Sequence, residues 1–281
     1  MAENIRELLT TATGTQGTLL IERKIFDTLI EAVEKARLGR DLAAIVIGPE
    51  GIPGSSVELN LVDVDSMTVF RVAEGAAIPI DVAGYSTANI RPLKYGVRPL
   101  VTKEMQEDAK WDLIQHNIMT AGREIGENED SRIVTNALDD AANSVSGGAT
   151  ITVANITRAM QYLEDNFYTA TDFIVGPEVA NDLRNIDTFV EADKAGTRES
   201  FERGIIGRIF GMDVRVISTH AITSTSAYII DREHAFVIVE KRPVTIERYD
   251  DVTHDLSGVV VTQRFEADSL RTSSIAKITT T

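Results

Sequence analysis

The sequence contains no cysteine and a single tryptophan, and nowhere do its hydrophobic residues run together over the about 18 to 20 positions that a membrane-spanning helix needs. Without cysteine there is no disulfide, no thiol nucleophile and no cysteine-ligated zinc or iron–sulfur centre. Stability has to come from burial and association. Positive charge is also scarce, with 28 Lys and Arg against 43 Asp and Glu and a formal charge of −15. Such a balance opposes binding to phosphate backbones, where affinity comes from cationic groups that displace condensed counterions. Histidine occurs four times, at His116, His220, His234 and His254, with no HExxH or other paired spacing. The opening MAENIRELLTTATG places two acids where a signal peptide has a basic start, and it has no continuous apolar centre, so secretion by that route is not expected.

What is present fits a folded chain. The 281 residues suffice for two ordinary domains, or one with long extensions, and 43% hydrophobic with 25% charged residues is close to the globular average. No repeat period or low-complexity tract occurs, which argues against solenoids and propellers. Helical spacing runs from Leu19 through Ile25, Phe26, Leu29, Ile30 and Val33 and stops near Gly39, predicting an amphipathic arm. The small polar stretch TTATGTQGT before it has little to bury and is expected to be mobile or laid on a neighbour. After the punctuated GPEGIPG, VELNLVDV alternates with period two, and MTVFRVA follows a DVDS turn. These two runs predict a long β-hairpin from Val57 to Val72, too isolated to be stable alone and expected to lie on a body or a neighbour.

Thr102 is a plausible N-cap for the longest helical pattern, about Lys103 to Ala142, with Trp111, Ile114, Ile118, Ala121 and Ile125 on one stripe and Ile133, Val134, Ala137, Leu138 and Ala141 continuing it. Unbroken, it would be roughly 60 Å long and act as a strut, with Gly122 and Gly126 as places to bend. NSVSGGAT has the composition of a linker. Beyond it strands and helices alternate: ITVANITRAMQYLEDN and EVANDLRNI read as helices, DFIVGP, MDVRVIS and AYIIDREHAFVIVE as strands. VTIERYDD and GVVVTQRFEADS read as late antiparallel strands that rejoin the first part of the chain.

The order of arm, hairpin, strut, inserted α/β unit and returning strands resembles the Hong Kong 97-type major capsid proteins of tailed phages and archaeal viruses. The residues that carry the resemblance are AEGAAIPIDVAGYSTANIRPLKYGVRPLVTKEMQEDA, DFIVGPEVANDL and GIIGRIFGMDVRVIS, in that order. The resemblance implies an α+β fold with an N-terminal arm at 1–40, an extended loop (E-loop) at 41–90, a peripheral domain with its spine helix at 91–147, an axial domain at 148–242, and returning strands of the peripheral domain at 243–281. It implies homo-oligomers, pentamers and hexamers in an icosahedral shell that encloses double-stranded DNA without sequence-specific binding. Portal and scaffolding proteins are implied as partners, assembly in the host cytoplasm and residence in the virion as its places, and no cofactor, metal, membrane or catalytic residue. The chain has no room for a large scaffold-like leader, so a separate scaffold or prior cleavage is expected. Some relatives crosslink a loop lysine to a neighbour's asparagine; the hairpin here has no lysine, and no such crosslink is expected. Encapsulins share the fold and are the nearest rival, while an α/β hydrolase or binding protein is the rival from another class.

Within the axial loop, Asp193, Lys194, Arg198, Glu199 and Arg203 alternate in charge, which suits ring contacts with symmetry mates or else a solvated loop. Glu127, Glu129 and Asp130 read as the wet face of the long helix, or a salt-bridge surface toward a neighbour. Only in Tyr249–Asp255 does a histidine sit among carboxylates, and acidic turns between strands are usually solvated. GIIGRIFG lacks the Lys and Ser/Thr of a phosphate-binding loop and reads as a tight turn. Trp111 reads as a core anchor of the strut.

Overall fold

The computed structural model describes residues 15–52, 54–62, 67–108, 113–186, 205–251 and 253–280. Two sheets organise them. The first carries strands β1 (Ile45–Ile47), β11 (Phe236–Asp251), β12 (Leu256–Ser269) and β4 (Leu93–Val97) in that order, with β5 (Leu100–Thr102) also beside β12. The second has six strands in the order β6 (Asn143–Gly148), β13 (Ile275–Thr280), β10 (Ser226–Ile230), β7 (Asp172–Val175), β9 (Met212–Val216) and β8 (Ile205–Ile209). A separate ribbon pairs β2 (Val57–Val62) with β3 (Tyr85–Ile90). The helices are α1 (Thr15–Ala36), α2 (Lys103–Asp108), α3 (Leu113–Arg132), α4 (Val153–Glu164) and α5 (Pro177–Arg184).

The six-stranded sheet is covered on both faces, which explains why its central strands read as unbroken apolar runs rather than alternating ones. In β7, Phe173 and Val175 pack with Ile156 and Leu163 of α4 and Val179 and Leu183 of α5. Ile174, between them, points the other way, into a second core with Ile133, Leu138, Tyr228 and Phe236. That second core joins the two sheets. Thr152 caps α4 by accepting a hydrogen bond from the Asn155 amide, and Pro177 opens α5 at a position where its missing N–H costs nothing.

Several sequence expectations are corrected here. The ribbon does not pair VELNLV with MTVFRVA; its partner is Tyr85–Ile90, in the register Val57↔Ile90 to Val62↔Tyr85. Burial at the ribbon's foot decides this, because Ile90 packs against Val237, Val239 and Ile52. Residues 67–84 form neither strand nor helix. The stretch NSVSGG is a strand, β6, paired in parallel with β13. Its partner lies at the far end of the chain and its residues are small, so nothing local announces it. The strand β13 lies in the six-stranded sheet, beside β6 and β10.

The strut is α2 and α3, ending in a wide turn of π type at Ile133–Leu138, where the Asp139 amide donates to the Val134 carbonyl at 2.8 Å. Residues 109–112, and Trp111 with them, lie outside the described residues. AFVIVE and VTIERYDD are one strand, β11, whose pairing with β12 slips on either side of Arg242. Pro243, with no N–H to give the ladder, sits in that irregularity. GIIGRIFG ends in the tight turn expected, with Phe210 and Gly211 both at positive φ (50° and 88°), as a two-residue hairpin requires.

Candidate assembly surfaces

Helix α1 lies along α3 in the same chain. Leu29 and Val33 meet Ile118, Ala121 and Ile125, with Val244, Val259 and Val261 of the long hairpin beneath. Gly122 and Gly126 mark the crossing: a Cβ at Gly126 would stand 2.6 Å from the Ala36 Cβ, and one at Gly122 would stand 2.8 Å from the Ala32 Cβ. The glycines therefore set how closely the two helices approach. The part of the arm described here is laid on its own chain; residues 1–14 lie outside the described residues.

The chain leaving α1 is fixed by a buried polar network, and this corrects the reading of Glu129 and Asp130 as a wet face. Glu129 has 0% exposure. It pairs with Arg37 at 2.9 Å and Arg40 at 3.3 Å, and accepts a hydrogen bond from Gln263 at 2.9 Å. Arg40 also pairs with Glu240, and Gln263 bridges to Glu240 at 3.2 Å. Asp130 accepts from the Leu38 amide at 3.0 Å and the Gly39 amide at 2.9 Å. Burial pushes the Asp130 carboxyl up to about 6, with Glu129 adding to the rise against the pull of the two amides and Arg37. For Glu240 burial also pushes upward, but the Arg40 hydrogen bond and charge outweigh it and the net shift is downward. Only Glu127 of the three acids stays near solvent, facing Arg123 at 3.7 Å. The helical period could have flagged the pair, since Asp130 falls four positions after Gly126 and three before Ile133; the distant Arg37 and Arg40 partners carry no local signal.

The ribbon behaves oppositely. Beyond its last pair, Val62↔Tyr85, the chain from 67 to 82 is exposed throughout, with Val69 at 98%, Ile80 at 94% and Ile78 at 77%. Phe70, Val72, Val82 and Met67 add to this apolar surface. Asp81 holds two of its backbone groups, accepting from the Thr68 amide at 2.5 Å and the Val82 amide at 3.0 Å.

Two further surfaces are polar. An open groove of about 560 Å³ lies between the ribbon's foot, the wide turn and β12, lined by Asp139, Asp140, Glu266 and Asp268 together with Asn89 and Arg91. Asp268 is raised by burial and by the nearby Asp140 charge, with the Ser269 amide opposing. At the far end of the β11–β12 hairpin, His254 Nδ1 lies 2.8 Å from Asp251 and Lys103 pairs with Asp255, all of them exposed or half-exposed. Among the described residues no three His, Asp or Glu side chains are grouped so as to hold a metal ion, and no helix is long and apolar enough to cross a membrane. The charged positions Asp193, Lys194, Arg198, Glu199 and Arg203 lie outside the described residues.

The fold is similar to a chain of Microbacterium phage Oxtober96, with a TM-score of 0.65 at 16% identity over 86% of this chain and 91% of that one. It is also similar to the mature capsid of bacteriophage PhiM1, with a TM-score of 0.65 at 11% identity over 87% of each chain. A virus-like particle from Pyrococcus furiosus matches with a TM-score of 0.60 at 14% identity, over 91% of this chain and 98% of that one. No curated protein matches the sequence. The architecture is thus of the Hong Kong 97 type. With the phage capsid protein family matching residues 85–278, from the ribbon's return strand to the last strand of the six-stranded sheet, the chain belongs to that family.

Proposed function

We propose that this chain is the major capsid protein of a tailed virus and that its copies close as pentamers and hexamers into an icosahedral shell around double-stranded DNA. The observation that carries the reading is the apolar surface of residues 67–82, which a free chain leaves in water and a crowded shell can cover. In this reading the ribbon and its loop are the extended loop, laid across a neighbour. The helices α2 and α3 with the β11–β12 hairpin form the peripheral domain, and the six-stranded sheet with α4 and α5 forms the axial domain. The polar segment 191–203, with Asp193, Lys194, Arg198, Glu199 and Arg203, meets its symmetry mates around the capsomer axes through opposite charges. The formal charge of −15 suits an inner wall that confines DNA without adhering to it. Portal and scaffolding proteins complete the assembly in the host cytoplasm, and no catalytic step is assigned to the chain.

Electron microscopy and light scattering of the purified protein test this directly. Shells, capsomers or tubes are expected. A persistent monomer that keeps a small ligand in the acidic groove would overturn the proposal, and a shell from infected cells that holds enzymes instead of nucleic acid would replace the virus by a cargo compartment.

A further inference from the structure

An edge strand with no charge, no proline and no cover is an invitation to pair, and proteins ordinarily blunt such edges. Of the edge strands of the two larger sheets, β4 carries Lys94, β8 carries Arg208, β6 is built from Ser, Gly and Asn around one valine, and β5 is buried or half-buried. The strand β1 has none of these protections. Its sequence is Ile-Val-Ile, and Ile45 remains 48% exposed. On its inner side it pairs in parallel with β11, and the Ala44 amide donates to the Phe236 carbonyl at 2.9 Å. Because successive residues of a strand turn their N–H and C=O to opposite sides, Ala44 and Val46 face β11, while Ile45 and Ile47 present theirs to the open side. No described residue pairs with them there.

The chain also carries a segment that needs such an edge. In Ile78-Pro79-Ile80-Asp81-Val82 the apolar residues recur with period two, and neither Ile78 nor Ile80 makes a backbone hydrogen bond to another of the described residues. Pro79 decides which side can pair. It falls on the side opposite Ile78 and Ile80, so its missing N–H costs a ladder nothing if the segment adds as an outermost strand, and it silences the new outer edge at the same time. The Val82 amide is held by Asp81 in an exposed local bond that a ladder bond can replace.

We propose that residues 77–82 of one copy add as a β-strand to the open edge of β1 in a second copy, Ile78 and Ile80 bonding with Ile45 and Ile47. The proposal rests on the shell reading above and sharpens it, by giving the loop a backbone ladder in place of a loose apolar contact. Strand addition supplies affinity through main-chain bonds and specificity through alternate side chains.

The natural absence of cysteine makes the test clean. A chain carrying both Val46→Cys and Ile80→Cys is assembled and treated with oxidant or a short bismaleimide, then run on a non-reducing gel. A ladder of covalently linked copies is expected, absent in either single variant. Linkage that stays within one chain overturns the proposal. So does a ladder from Ile80→Cys with Met119→Cys, on the exposed side of α3, when the Val46 pair gives none; shells would still have formed, and the shell reading would stand. If the cysteine variants fail to assemble, hydrogen exchange on the unaltered protein decides. The Ile45 and Ile47 amides are expected to slow at least tenfold on assembly, and unchanged exchange in intact shells overturns the pairing. An unaltered protein that forms no shell overturns both readings, and the missing particles identify that outcome.

Discussion

Helix α1 and the ribbon β2–β3 both leave the body of the fold, and the chain treats them in opposite ways. Helix α1 buries Leu29 and Val33 on α3, and the residues after it are held by Glu129, Asp130, Glu240 and Gln263, all four of them buried. The ribbon buries its foot, where Ile90 packs against Ile52, and leaves Val69, Ile78 and Ile80 in solvent. One extension is finished by its own chain. The other leaves most of the apolar side chains of its loop in solvent, so their burial depends on a second molecule. For a shell builder this division is useful, because a subunit can fold around the first extension while the second waits for a neighbour.

The comparison can be broken first at the network. Glu129→Ala leaves Arg37 and part of Arg40 without their carboxylate in a buried site, at a cost of about 3 kcal/mol, read as the urea midpoint of the unassembled chain. Exchange in residues 67–84 should not change in that variant. At the helix crossing, Gly126→Ala would stabilise an isolated helix by about 1 kcal/mol, yet the new Cβ meets Ala36 and the Val33 carbonyl, so a net loss of about 1 to 2 kcal/mol is expected in the same measurement.

Asp130 gives a pH signature. Its carboxyl is raised from 3.8 to about 6, so it favours the folded state while protonated; that contribution is full below about 3.8 and is lost as pH rises through about 6. Through this group the free subunit is more stable at pH 5 than at pH 7.5 by about 1 to 2 kcal/mol. Asp130→Asn should remove that difference, and an unchanged pH slope in paired denaturation curves would show that Asp130 is not its source. The smallest effect on folding belongs to the loop. Ile78→Ser with Ile80→Ser should shift the stability of the unassembled subunit by no more than about 0.5 kcal/mol, while the yield of shells falls severely.

Legibility in the sequence followed the range of the interaction. The helix at Leu19–Val33, the Thr152-capped helix at Val153–Glu164, the helix opened by Pro177 at Pro177–Arg184, and the turn at Phe210–Gly211 announce themselves through local period, cap and turn chemistry. The order of elements was enough to reach the fold, because order survives errors in individual boundaries. What stayed hidden depends on partners far along the chain. Asn143–Gly148 becomes a strand only because Ile275–Thr280 lies beside it, and Tyr85–Ile90 displaces the nearer MTVFRVA because Ile90 has a core to enter. Glu129 and Asp130 look like surface acids until Arg37, Arg40 and two backbone amides are brought to them across some ninety residues. Asp193, Lys194, Arg198, Glu199 and Arg203, read as contact residues from their mixed charges and the family resemblance, are tested by charge reversal at Arg198 and Glu199 in assembly assays.

Hydrogen exchange measured on the free subunit and on intact shells tests the contrast between the two extensions most directly. The amides of Leu38 and Gly39, held by Asp130, should be protected in the free subunit and unchanged by assembly. The amides of Ile78 and Ile80 should exchange freely in the subunit and become protected only in the shell. A loop already protected in the free chain, or still unprotected in intact shells, would contradict the account.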